Sequence, residues 1–126
     1  MLRPRRVGAE DVPALLLRGS RVIATADAPR ELFLVRVERG GPWDWSRDMR
    51  EQEQWREHAD FMNALVDAGF ILLGGPVEGG REAFHVVDAA SEEELRARLA
   101  PDPWARNGML TVKSIERWTI LLAPEE

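Results

Sequence analysis

The sequence contains no cysteine. Disulfides, thiolate nucleophiles and cysteine-based zinc sites are therefore excluded. It also lacks long apolar runs. None approaches the roughly 20 residues that span a bilayer, and Ala14–Leu17 near the start falls short of a signal-peptide core of about 7–15 residues. A cytoplasmic location, with no membrane partner, is the expectation. There are only two histidines, and the carboxylates are scattered, so neither a metal site nor a cofactor is expected. Lysine is almost absent: Lys113 stands alone beside sixteen arginines, a bias read as compositional, not functional.

What is present fits one domain. A chain of 126 residues is long enough to bury one real core without a staple. Residues 1–30 hold six arginines against Glu10, Asp11 and Asp27, a net of +3, which leaves −8 for the rest. An acidic folded part argues against nucleic acid as a partner, because phosphate is bound by clustered Lys and Arg.

Residues 1–30 show no sustained period beyond a turn or two of helix between Glu10 and Leu17. They read as a weakly ordered N-terminal extension. The folded domain is expected over 31–123, with 124–126 as a tail. Glu31–Glu38 alternates as a strand, with Phe33, Val35 and Val37 on one face and Leu32, Leu34 and Arg36 on the other. Arg39-Gly40-Gly41-Pro42 ends it in a turn. Ser46 is a candidate N-cap for a helix over Arg47–Ala68. Glu51, Trp55, His58, Met62 and Leu65 share one face of that helix, and Gly69 stops it.

The run Phe70–Leu73 reads as a strand buried on both sides. Gly74-Gly75-Pro76 bends the chain, and Glu82–Asp88 returns as the second strand of a hairpin. Ser91 with Glu94 three residues on matches a capping box for a short helix to Leu99. Pro101 and Pro103 close it. Met109–Leu122 is extended, with a bulge or break near Ser114–Glu116.

The order is strand, helix, strand, strand, helix, strand. That is an α+β, ferredoxin-like βαββαβ split fold: a four-stranded antiparallel sheet with two helices on one face. The other face is left uncovered, yet Leu32 and Leu34 make it apolar. Such a face is rarely left in water. Its simplest cover is the same face of a second copy about a two-fold axis, which predicts a homodimer.

Three blocks carry a resemblance: Trp55-Arg56-Glu57-His58-Ala59-Asp60-Phe61-Met62, then Leu73-Gly74-Gly75-Pro76, then Asp102-Pro103-Trp104, followed by Trp118-Thr119-Ile120-Leu121. In this order and spacing they resemble the YCII-related (YciI-like) family over about residues 31–123. The resemblance implies a dimeric α/β barrel and a His–Asp pair, which maps onto His58 and Asp102. The family pattern often has Arg three residues before the histidine. Here that position is Trp55, so no arginine role carries over to it.

From chemistry alone, His58 stands out, because an imidazole on an apolar helix stripe can serve as a general base. The plain alternative is a core histidine bonded to a backbone carbonyl. Asp102 can orient and charge-stabilise that imidazole, or act locally as a turn former before proline. Gly75 and Pro76 offer a strand end that a ligand can approach. Trp43, Trp45, Trp55 and Trp104 can line an apolar pocket for a small molecule, although packing alone also explains tryptophans. His85 reads as structural. Two functions remain. One is an isomerase- or lyase-like enzyme moving a proton α to the carbonyl of a small, partly apolar compound such as a lactone or enone. The other is a non-catalytic ligand-binding or dimerisation module. Cofactor-free oxygenation is a third reading, by fold analogy alone.

Overall fold

A computed structural model describes residues 30–124. Apart from Arg30, the expected N-terminal extension lies outside the described residues, as does most of the tail. Strand β1 spans Arg30–Arg39, helix α1 Trp55–Asp67, β2 Ile71–Pro76, β3 Glu82–Val87, α2 Glu92–Leu99, α3 Pro103–Arg106 and β4 Leu110–Ile120. The strands form one four-stranded antiparallel sheet in the order β2-β3-β1-β4, which is the ferredoxin-like arrangement. Leu32–Trp118 form one compact unit. Glu31 and Thr119 belong to a second, where the Thr119 hydroxyl donates to the Glu31 carboxylate at 3.1 Å.

Alternation in β1 sets the core. Phe33, Val35 and Val37 lie opposite Val87, His85 and Ala83 of β3, and side chains two apart share a face. That face packs against Leu65 of α1 and Leu95 and Leu99 of α2. In β4 the core positions change parity, from Leu110 and Val112 to Ile115. The strand stays continuous, so there is no break, and the change of parity is what a bulge near Ser114, the other expectation, produces.

The first helix is shorter than its expected span of Arg47–Ala68. Residues Met49–Glu51 form a separate 3-10 turn, and Gln54 adopts a left-handed conformation (φ 64°) that interrupts the helical path before Trp55. The cause is Gln52. Its buried amide accepts from the Asp44 N–H at 2.9 Å and donates to the carbonyls of Asp44 at 2.7 Å and Arg47 at 3.2 Å, tying the loop together. Ser46 is not the N-cap. Its N–H and hydroxyl both donate to Asp44 Oδ1, at 3.0 and 2.6 Å, a local turn that competes with helix. Glu51 therefore leaves the stripe, while Trp55, His58, Met62 and Leu65 keep it.

The C-terminus of α1 follows its sequence. Gly69 takes φ 79°, and the N–H groups of Gly69 and Phe70 donate to the carbonyls of Val66 and Leu65. That is a Schellman ending, in which a glycine tolerates the left-handed position. Ser91 caps α2 by accepting from the Glu94 N–H at 3.0 Å, and Glu94 answers by accepting from the Ala90 N–H. The run Phe70–Leu73 is not buried on both sides. Phe70 and Ile71 are buried, whereas Leu73 is 58% exposed, because β2 is an edge strand.

Candidate active site

A cavity of about 360 Å³ opens between α1, the β2–β3 hairpin and α3. Its wall includes Trp55, His58, Met62, Gly75, Pro76 and Trp104. His58 comes from the inward stripe of α1 and is only 8% exposed. Asp102 is the N-cap of α3, with Pro103 in the first helical position, where a missing N–H costs nothing. Its Oδ1 accepts from the Trp104 N–H at 3.1 Å and contacts His58 Nδ1 at 2.8 Å. The two sequence readings of Asp102, as local cap and as imidazole partner, are thus both present in one oxygen atom.

A carboxylate only accepts, so Nδ1 carries the proton, and Nε2 of His58 keeps its lone pair. Trp104 lies face to face with the imidazole, centroids 3.9 Å apart and planes 11° from parallel. The indole N–H is anchored on the Glu53 carbonyl at 2.7 Å. Trp55 tilts against both rings, at 6.0 and 5.8 Å. The ring is fixed by one hydrogen bond and one aromatic face.

Of the residues singled out from sequence, His58, Trp55, Gly75, Pro76 and Trp104 line the same cavity. Asp102 lies behind His58, on a second hollow of about 30 Å³ that it shares with His85. Trp43 is off the main wall. It packs edge-on against Trp104 at 5.1 Å and, with Trp45, borders a separate surface hollow.

Two ionisable residues of the wall were not expected there. Arg39 lines the cavity, stacks over Trp43 at 4.3 Å and donates to the Gly80 carbonyl at 2.7 Å. Its Nε is buried without a partner, and burial pushes its pKa below the usual guanidinium value. His85 also lines the cavity. Burial lowers its pKa from 6.5 to about 4, with His58 adding to the effect and Asp102 opposing it, so it is neutral near pH 7. Both were legible by parity. Arg39 continues the Phe33, Val35, Val37 face, and His85 shares its face with Ala83 and Val87.

The fold is that of a ferredoxin-like α+β domain, and in it a buried His–Asp pair lies beside a mostly apolar cleft. The YCII-related domain model matches residues 22–119, and the chain belongs to that family. No curated protein matches it. Among solved structures it is similar to the 5-chloro-2-hydroxyhydroquinone dehydrochlorinase TftG from Burkholderia phenoliruptrix AC1100, in complex with 2,5-dihydroxybenzoquinone. The TM-score is 0.54 and the identity 20%, over 69% of this chain and 93% of that one.

Proposed function

We propose that this protein is an isomerase- or lyase-like enzyme in which His58, paired with Asp102, moves a proton α to the carbonyl of a small, partly apolar compound such as a lactone, an enone or a hydroxyquinone. The observation that carries the reading is the 2.8 Å His58–Asp102 bond beside an open cavity. A binding module has no need to hold an imidazole in one tautomer at a cavity wall. Nε2 of His58 takes the proton. The enolate then collapses, either taking the proton back at another carbon or expelling a leaving group. The structural neighbour is named for a dehydrochlorination, a reaction in which a leaving group is lost.

The active unit is a homodimer in this reading, since the sheet face away from the helices carries exposed Leu73 and Trp118. The test is α-proton exchange in D2O. Butenolides, cyclohexenone and 2,5-dihydroxybenzoquinone are incubated with protein and followed by proton NMR. The expected result is exchange with at least one of them, reduced about 10²–10⁴-fold in His58→Gln. Exchange equal in wild type and variant rejects His58 as the base, and no exchange with any compound rejects the substrate class.

A further inference from the structure

His85 is a second imidazole in the same cavity, and its surroundings fix what it can do. Its Nδ1 is buried with no hydrogen-bond partner. The atom is sealed against the backbone of Gly74, directly across the β2–β3 ladder, where a methyl group in place of the glycine hydrogen would collide with it. An orphaned buried N–H is costlier than an orphaned lone pair. The tautomer with a bare Nδ1 and the proton on Nε2 is therefore favoured. Nε2 is not sealed in the same way, and none of the described residues accepts from it.

The cavity thus holds two imidazoles of opposite character. His58 donates its Nδ1–H to Asp102 Oδ1 and presents a lone pair at Nε2. His85 keeps an N–H and faces no carboxylate at bonding distance among the described residues. We infer that His85 is the hydrogen-bond donor to the ligand's carbonyl or enolate oxygen, with His58 acting as base on the adjacent carbon. This rests on the acid–base reading above and adds the group that stabilises the charge it creates. A neutral imidazole suits the task. It polarises the oxygen without surrendering a full proton, and, carrying no charge, it does not compete with His58 for the Asp102 carboxylate. Desolvation keeps it neutral well below pH 7. Gly74 then has a functional reason. Any side chain there would push the ring off the ladder and misaim the donor.

The test has two arms on the full-length protein. Long-range proton–nitrogen-15 correlation spectra at pH 7 assign the tautomer: Nε2–H is expected for His85, and Nδ1–H overturns the assignment. Calorimetric titration with 2,5-dihydroxybenzoquinone then compares wild type, His85→Leu and His85→Gln, each checked by circular dichroism. His85→Leu is expected to bind at least about ten-fold more weakly. His85→Gln, which restores an N–H donor, is expected to recover part of that loss. If wild type and His85→Leu bind equally, the donor role fails while the His58 reading stands. If wild type does not bind at all, the hydroxyquinone substrate class fails, and the donor role for it fails too.

Discussion

Gly74 and His85 face each other across β2 and β3 in register, and the imidazole lies where a side chain on residue 74 would have to go. A β-carbon there would also sit 2.9 Å from the Phe84 carbonyl oxygen, whereas one on Gly75 meets nothing within 4 Å. The two glycines are therefore unequal. Gly74→Ala is expected to destabilise by about 1–3 kcal/mol through overpacking, and Gly75→Ala to stay within about 0.5 kcal/mol. Urea denaturation of the pair checks this. Equal midpoints would mean that the ring moves aside freely.

Asp102 separates charge from geometry. In Asp102→Asn the amide oxygen still accepts from His58 and from the Trp104 N–H, so the start of α3 survives and the melting temperature is expected to fall by only a few degrees. The imidazolium loses its counter-charge, and proton exchange is expected to drop about 10²–10⁴-fold. Asp102→Ala adds the loss of the cap, about 1 kcal/mol, and an unmet Nδ1–H. A variant asparagine with full activity would leave Asp102 as a cap alone.

The architecture was legible because its signals are local. Alternation in β1, the glycine ending α1 and the serine cap of α2 each act within a few residues. The misread start of α1 has a physical cause: the Gln52 amide holds groups eight and five residues back, and no period in sequence announces a side chain bonding to a loop. The site was half legible. His58 emerged from its helix stripe, whereas its pairing with Asp102 came from the family resemblance. Their meeting across 44 residues is a tertiary fact. Arg39 and His85 were hidden by their settings, one inside a turn motif and the other inside a hairpin strand, although strand parity pointed both inward.

His85 gives the fold an acid-sensitive step. Its folded pKa of about 4 lies below the unfolded 6.5, so the unfolded chain takes up the proton first. The neutral ring's contribution is fully present above pH 6.5. It is lost as the pH falls toward 4, a loss of about 3 kcal/mol over the whole window. His85→Leu removes this step. Between pH 7 and pH 4.5, wild type is expected to lose about 2–3 kcal/mol more in urea denaturation than the leucine variant. Parallel losses in the two proteins would show that the ring titrates normally.

The outer face of the sheet supplies the last prediction. Leu34, Phe84 and Val86 point away from the helices by alternation with Val35, Ala83 and Val87. Leu73 pairs with Val86 and shares that face. Trp118 joins them, because the Arg117 guanidinium lies over the core-facing Phe33 ring at 4.7 Å, so the next residue turns the other way. Toward the other end of the face the side chains are ionic. Lys113 bonds Glu82 at 2.9 Å, and Arg36 lies 3.6 Å from the same carboxylate. An apolar patch bordered by charges is the pattern of an interface between copies. Wild type is expected to scatter light as a dimer at micromolar concentration. Leu73→Asp, a change at a site 58% exposed in the single chain, is expected to keep its circular dichroism and become monomeric. A wild type with the mass of one chain at every concentration would remove the dimer, and a dimeric Leu73→Asp would move the interface off this face.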